Sequence, residues 1–461
     1  MKKHLIVFAL MIIVVCVFLS GNIFAEDTVC ETRTVSGQWT YTVSNGAATL
    51  TAYSGTATSV SIPNYIDGYK VTGLGNGLFQ GNESITKVSF PDTLQSIGSS
   101  AFRNCTALTS ITLPVNLTSI GTDAFINCTA LSSITVNSEE LSLNYYVTGS
   151  GNTFLNAGKK APNGITLTFG DKVTKIPAYM FGYGENDYAR IKTVKMGSAI
   201  KTIGNNAFQN CSDLTSVFLP VKTENIASNA FSGCKKLVKI FLLNRNCSIS
   251  NNQSTLGVCG TTVVYGFANS AAQTYAQKYG YTFVPLTRFS DVKESAYYFN
   301  AVTWAVANGI TSGTGNGKFN PKGTCTREQI VTFLYAACGK PGHHMTSNPF
   351  SDVKSGKYYY NAVMWAVENG ITGGVGGGKF GVGQGCTREQ AVTFLWKAVG
   401  CPKPSMTTCP FTDVKSNKYY YKAVLWAFEN GIASGVSSNK FGVGKTCTRA
   451  QIVTFLFNTF R

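Results

Sequence analysis

The sequence predicts two tandem repeat domains, a β-solenoid followed by an all-α module of three helix pairs, within 461 residues. Two periods and one motif carry that reading. In the first half Phe79, Phe102 and Phe125 are evenly spaced, Phe208 and Phe231 repeat the interval, and Cys105/Cys128 and Cys211/Cys234 keep the same step. In the C-terminal third, segments opening at Phe289, Phe350 and Phe411 recur at a second, longer interval that is again constant. Each closes on one decapeptide: "CTREQIVTFL" from Cys325, "CTREQAVTFL" from Cys386 and "CTRAQIVTFL" from Cys447. Periods of this kind mark units that bury their apolar faces only against their neighbours.

The opening segment 1–25, "MKKHLIVFALMIIVVCVFLSGNIFA", pairs two lysines with an apolar run at 5–19 and ends on the small Ala25. That is the pattern of a secretory signal peptide. The run is shorter than the ~20 residues of a membrane span, and no later stretch approaches that length, so an exported chain without a transmembrane span is expected after cleavage. Val15 before Cys16 argues against lipoprotein processing. About 436 residues remain, enough for two or three domains. Without Lys2 and Lys3, 37 Lys+Arg face 22 Asp+Glu and the net charge is +15. Such a surface suits acidic wall polymers or anionic sugars; no basic cluster or nucleic-acid module accompanies it, so nucleic acid is not an expected partner. The remaining 13 cysteines are odd in number and widely spread, unlike a small disulfide scaffold.

Each shorter unit carries an "LTSITLP" piece that alternates apolar and polar residues, as a strand with one buried face does. The "IGxxAFxxC" piece is too short and turn-rich for a regular helix. The combined "IGxxAFxxCxxLxxIxLP" pattern resembles the leucine-rich repeats of BspA-like surface proteins over roughly residues 38–285, with a cap at 26–68, repeats at 69–245 and a second cap and linker at 246–285. A short helix is expected around Ala271 to Tyr279. The pattern lapses between about 137 and 190, where the gap from Phe125 to Phe181 is more than twice the regular step, which implies one or two irregular units or an insertion. Cys105, Cys128, Cys211 and Cys234 admit disulfides between rungs ~4.8 Å apart, or burial as small thiols filling a tight turn, the simpler account.

Each longer unit reads as two helices joined by a Gly-rich loop. The first helix spans about Ala301 to Asn308, apolar at Ala301, Val302, Trp304, Ala305 and Val306, and Gly309 suits its left-handed C′ position. The second opens at Thr326, whose spacing to Gln329 is that of a capping box. The cap does not explain Arg327. A cation in a helix's first turn opposes the macrodipole by about a few tenths of a kcal/mol, yet the choice recurs at Arg388 and Arg449. A solvated arginine is one account. The other is an anion site, in which the guanidinium fork joins free N–H groups at the helix start to grip a carboxylate.

The "FSDV…AVxWAVxNGIxxG…F…CTREQ" units resemble S-layer homology (SLH) domains, at 286–345, 346–406 and 407–461. The resemblance implies a three-pronged pseudo-trimer of SLH helix pairs with ligand grooves between the prongs. It also implies non-covalent retention on the bacterial envelope through secondary cell-wall polysaccharide, typically pyruvylated, with the pyruvate carboxylate meeting Arg327, Arg388 and Arg449. The opening Asp291, Asp352 and Asp413 serve as turn caps or as sugar contacts. Gln329, Gln390 and Gln451 stand where the family has glutamate. Tyr297, Tyr358 and Tyr419 replace a frequent tryptophan and keep a ring able to stack on sugar. Trp304, Trp365 and Trp426 read as core, and Cys325, Cys386 and Cys447 as buried filler.

The linkers "GKPGHHMTSNP" and "GCPKPSMTTCP" separate the units. Adjacent His343 and His344 in a linker make a poor metal site, and Cys401 and Cys409 leave a small closed loop open as an option. Ser–His–Asp chemistry lacks a suitable histidine, and phosphate-loop and metal-cluster motifs are absent from the sequence. A glycosidase carboxylate pair leaves no fixed spacing, but repeat architecture consumes both large regions. The expectation is therefore a non-enzyme without cofactor: an anchored surface protein whose solenoid binds a host or microbial protein or glycan in adhesion. The alternative is a spacer or coat component with no dedicated ligand. An aromatic or charged sheet face favours the first, a Ser/Thr face the second. Three weak grooves on one rigid body gain about 10²–10⁴ in avidity against a repeating polymer.

Overall fold

The computed structural model describes residues 34–143, 153–182 and 189–460. The expected signal peptide lies outside them, as do residues 144–152 and 183–188 of the irregular stretch. No helix among the described residues is long and apolar enough to cross a membrane.

The solenoid opens on an antiparallel ribbon of strands Thr34–Ser36, Trp39–Ser44 and Ala47–Tyr53. Its Trp39 packs on Tyr53 at 4.6 Å and edge-on against Phe79 at 6.1 Å, so the first rung never faces water. Beyond it one face is built from ten short strands in a six-stranded and a four-stranded sheet. The opposite face is built mostly from two-residue strands, such as Ser96–Ile97 and Ser119–Ile120. Rungs are parallel and in register: Ile111 pairs with Ile134 and Ile134 with Leu167, all buried, while Thr112, Thr135 and Thr168 form the neighbouring outward column.

Between the faces runs a phenylalanine stack. Phe79, Phe102, Phe125, Phe154, Phe181, Phe208 and Phe231 follow one another with ring centroids 5.0–5.8 Å apart. Phe154 supplies the missing rung of the irregular stretch: the steps Phe125 to Phe154, Phe154 to Phe181 and Phe181 to Phe208 all exceed the regular one, so three units are lengthened and the stack stays continuous. The turn before three of the four rung cysteines is closed by an asparagine in the left-handed region, at Asn104, Asn127 and Asn210, and before Cys234 by Gly233; Asn127 donates its amide to Asn104 at 2.8 Å. Asparagine tolerates that backbone and satisfies it locally. The rung cysteines are free and buried, and Cys105, Cys128 and Cys234 donate weakly to carbonyls 3.1–3.2 Å away. Helix α1 (Ala271–Tyr279) then covers the last rung with Tyr275 and Ala276.

Six further helices follow: α2 (Phe299–Ala307), α3 (Arg327–Ala337), α4 (Tyr360–Glu368), α5 (Arg388–Ala398), α6 (Tyr421–Glu429) and α7 (Arg449–Phe460). Helix α2 ends as expected, with Gly309 at φ +66°. The close pairs are α3 with α4, α5 with α6 and α2 with α7, each drawn from two different repeats. Trp365 meets Tyr335 at 5.5 Å in one pair and Trp304 meets Phe457 at 5.6 Å in another. Trp304, Trp365 and Trp426 are all buried. At the centre a cycle of backbone bonds closes: Cys325 N–H donates to Cys447, Cys386 to Cys325 and Cys447 to Cys386, at 2.9, 3.1 and 2.9 Å. These thiols are free and buried, and burial pushes Cys325 and Cys447 up to about 12.

The two repeat systems touch along the solenoid's second half. In the outward column, threonine gives way to Phe218 and Phe241, and both are buried with the helical core. Phe218 meets Phe457 edge-on at 5.2 Å and Phe267 meets Phe299 at 6.1 Å.

Phe125→Ala is expected to cost about 3–5 kcal/mol. In a nearest-neighbour stack the loss should appear first as faster hydrogen exchange in the rungs of Phe102 and Phe154, with the helical module unchanged.

Candidate functional site

The Thr-Arg helix starts are junctions between repeats. The first helical N–H groups are taken: Arg327 donates to Gln384, Arg388 to Lys445 and Arg449 to Gly323, at 2.8–2.9 Å. Gln329, Gln390 and Gln451 accept from the Thr326, Thr387 and Thr448 N–H groups at 3.0–3.2 Å, the return half of the capping box. In the third repeat Gln451 N–H also donates to Thr448 Oγ1 at 3.3 Å.

Each arginine crosses into the next repeat. Nε donates to a phenylalanine carbonyl: Arg327 to Phe380 (3.0 Å), Arg388 to Phe441 (2.9 Å) and Arg449 to Phe319 (2.9 Å). Each guanidinium lies 4.9–5.3 Å from two ring centroids, Phe380 and Phe394, Phe441 and Phe455, and Phe319 and Phe333 respectively. The outer nitrogens reach Thr372 Oγ1, the Ser434 carbonyl and Thr311 Oγ1. Exposure is only 3–5%. Burial lowers each pKa from its ordinary value, yet a guanidinium stays charged in a protein. Desolvated cation–π contacts of this kind contribute about 2 kcal/mol or more. Gly381 and Gly442 make room for the stems: an added Cβ would come within 3.2–3.3 Å of Cδ of Arg327 or Arg388, at φ near +90°.

The aspartates hold the loop that the arginines grip. Asp291 accepts from Phe319 and Asn320 N–H; Asp352 from Phe380, Gly381 and Val382; Asp413 from Phe441, Gly442 and Val443; all at 2.7–3.1 Å. Burial alone pushes these carboxyls up, but the converging N–H groups outweigh it and leave all three below the usual carboxylate range. Two buried glutamates brace the same loops: Glu328 accepts from Gly383 N–H at 3.0 Å and Glu389 from Gly444 at 2.9 Å. At the third junction Ala450 replaces the glutamate, and its N–H donates to Pro321 instead.

Grooves open where three repeats meet. One, of about 520 Å³, is lined by Thr311 and Gln329 of the first repeat, Tyr358 of the second and Arg449 of the third. Another, of about 650 Å³, is lined by Tyr297, Arg388 and Gln451 from the first, second and third repeats, with Asp171 of the solenoid. Tyr419 and Arg327 are likewise electrostatic neighbours. The tyrosines are 63–68% exposed. Each is held edge-on, 5.0–5.1 Å from the ring of the next tyrosine.

The sequence model of the S-layer homology domain matches residues 288–331, 349–392 and 410–453, and that of the BspA type leucine rich repeat region matches 52–152 and 159–254 in six copies. The protein is a BspA-type leucine-rich-repeat protein with three SLH domains. Among similar proteins are a surface-layer 125 kDa protein of Lysinibacillus sphaericus (32% identical over 154 residues, 33% of this chain and 13% of that protein) and a cell surface protein of Thermoanaerobacter kivui (32% over 131 residues, 28% and 17%). The chain spans less than a fifth of the length of these curated relatives. A crystal structure of a leucine rich cell surface protein from Faecalibacterium prausnitzii is 21% identical, with a TM-score of 0.33, covering 52% of this chain and 72% of that one. The SLH domains and the relatives assign the protein to the cell surface. Both repeat families are non-catalytic in kind.

The SLH helix start therefore differs from the simple anion site that its sequence suggests. Its N–H groups and arginine faces are engaged by the neighbouring repeat, and only the guanidinium edge borders the groove. The aspartates act as turn caps. Glu328 and Glu389 escape a reading of helix caps alone, because their partners lie 55 residues on. His344 Nδ1 lies 3.4 Å from Glu368, and no His/Cys/Asp/Glu cluster able to hold a metal occurs among the described residues. Cys401 and Cys409 are free.

Arg388→Lys removes the Nε bond and the planar stack, and should lower the stability of the SLH module by about 2–3 kcal/mol; Tyr297→Ala should leave its melting temperature unchanged. Because the aspartate pKa values are depressed, the stability these groups contribute is complete above the unfolded value of about 3.9 and lost as pH falls through the lower folded values. Asp352→Asn should therefore be less stable than the parent at pH 7, with the gap closing below about pH 4 in denaturant titrations.

Proposed function

We propose that the three SLH domains form a pseudo-trimer that anchors the protein to secondary cell-wall polysaccharide, and that the solenoid is displayed at the surface for protein or glycan binding. The observation that carries the reading is the composition of the grooves: an exposed tyrosine, a fixed cationic edge and a glutamine, contributed by three repeats. SLH domains as a class bind cell-wall polysaccharide. Tyr297, Tyr358 and Tyr419 offer apolar faces to sugar rings, and Arg327, Arg388 and Arg449 offer N–H edges and positive potential to a carboxylate such as ketal-linked pyruvate. Asp291, Asp352 and Asp413 act by fixing the loops. The cyclic Cys325–Cys386–Cys447 hydrogen bonds support the pseudo-trimer.

Adhesion is supported by the N-terminal cap, where Tyr65 and Tyr69 stand exposed on one hairpin. The spacer or coat reading is supported by the sheet face, whose free part carries hydroxyls at Thr112, Thr135 and Thr168, while its aromatic part is covered by the SLH module.

The test is co-sedimentation of the full chain with bacterial cell walls before and after chemical removal of their secondary polysaccharide. Binding should vanish with the polymer. One Tyr→Ala change should weaken retention severalfold, and the triple change at Tyr297, Tyr358 and Tyr419 should abolish it. Retention by stripped walls, or by the triple variant, would refute the anchor.

A further inference from the structure

The geometry points to a saccharide subsite on the solenoid itself, continuous with the groove of Tyr297 and Arg388, so that one polymer chain is gripped by both repeat systems. The inference rests on the anchoring proposed above. A second cleft, of about 600 Å³, separates the sheet face at Ser133, Thr135, Thr166 and Thr168 from the third SLH repeat at Asn430 and Thr459. It shares Asp171, Gly431, Ile432 and Asn458 with the groove of Tyr297 and Arg388. The two cavities thus run into one another along the third repeat.

The hydroxyls that face this cleft differ from those at the strand starts. At the strand starts, Thr86, Thr109 and Ser132 each donate to the carbonyl of the preceding rung at 2.9–3.1 Å. One strand residue further in, and again two residues beyond, Ser133, Thr135, Thr166 and Thr168 make no side-chain hydrogen bond within the described residues. Register places them in a square array, Ser133 beside Thr166 and Thr135 beside Thr168, with rungs roughly 4.8 Å apart. Each hydroxyl offers one donor and two acceptor sites. Lys195 borders the array next to Thr168 and reaches the Asn458 carbonyl at 3.5 Å, joining the two walls. Asp171 keeps one carboxylate oxygen on Ser198 N–H at 2.8 Å and stands at the passage between the cavities.

A polar, half-open cleft lined by unpartnered hydroxyls, the Lys195 cation and two carboxylates, Asp171 and Glu429, suits a polyhydroxylated chain, not an apolar peptide. Continuity with the SLH groove selects the occupant: the same cell-wall polysaccharide, extended beyond the subsite of Tyr297. The groove of Tyr297 and Arg388 is then longer than that of Tyr358 and Arg449, and the sheet face is turned toward the wall polymer.

The test uses the full chain and secondary polysaccharide released chemically from bacterial cell walls. Thr135→Val/Thr168→Val keeps side-chain shape and should weaken binding about tenfold, the loss of two hydrogen bonds, with an unchanged melting temperature. Unchanged affinity in this variant, alongside weakened binding by Tyr297→Ala, would overturn the subsite and leave the SLH anchor standing. No binding by the parent chain would overturn both. Should the double variant unfold, hydroxyl-radical footprinting of the parent decides: polymer-dependent protection of Ser133–Val136 and Ile165–Phe169 supports the subsite, and protection confined to 286–461 refutes it.

Discussion

The arginine that enters each SLH helix against its dipole is the interaction on which the C-terminal half depends. A guanidinium placed there has an electrostatic cost of about a few tenths of a kcal/mol, which two aromatic faces and a carbonyl acceptor from the next repeat more than offset. Because the partner always lies in the following repeat, the same contact made three times closes a cycle: Arg327 to Phe380, Arg388 to Phe441, Arg449 to Phe319. The asparaginyl or glycyl residue after each phenylalanine, the aspartate that gathers the loop N–H groups and the cysteines at the centre all follow from holding that acceptor in place. A groove whose walls come from three repeats exists only because the cycle is closed.

The solenoid obeys a different constraint, one of translation instead of rotation. Each rung presents the same side chain at the same place, so a change at one column changes the surface at a definite point along the axis. In the outward column Thr112, Thr135 and Thr168 precede Lys195, and then Phe218, Phe241 and Tyr265 take over. Threonine leaves the face wet, while the phenylalanines bury it beneath α2 and α7. Burying a phenylalanine side chain stabilises by about 1.5–3 kcal/mol, so Phe218 and Phe241, joined by Phe267 against Phe299, mark where the domains meet.

Much of this was legible in the sequence, because the short and the long period record local spacing directly. The strands, the capping boxes, helix α1 and the buried tryptophans follow from residues close together in the chain. What escaped was long-range. Phe154 and Phe181 kept the stack continuous across three lengthened units, but their spacing no longer matched the period. The sign of Arg327 was visible as an anomaly, whereas its solution depended on Phe380 and Phe394, both in the following repeat. The helices looked like pairs within each repeat, yet they pack between repeats, since the aromatic partners Tyr335 and Trp365 belong to different ones. The docking surface did leave a trace: "SVFL" and "KIFL" place phenylalanine where "SITL" and "SITV" place threonine.

The third SLH junction joins these two constraints. It is the closing contact of the cycle, made across 130 residues where the other two span 53, and loop closure costs more as the span grows. It also lacks the glutamate brace, since Ala450 stands where Glu328 and Glu389 stand. Yet α2 and α7, the pair that spans this junction, are the helices against which Phe267 and Phe218 pack. The solenoid therefore covers the seam that the SLH cycle closes least well on its own. A change that loosens Phe218 acts on the anchor as well as on the interface, and the two repeat systems stabilise one another through that single prong.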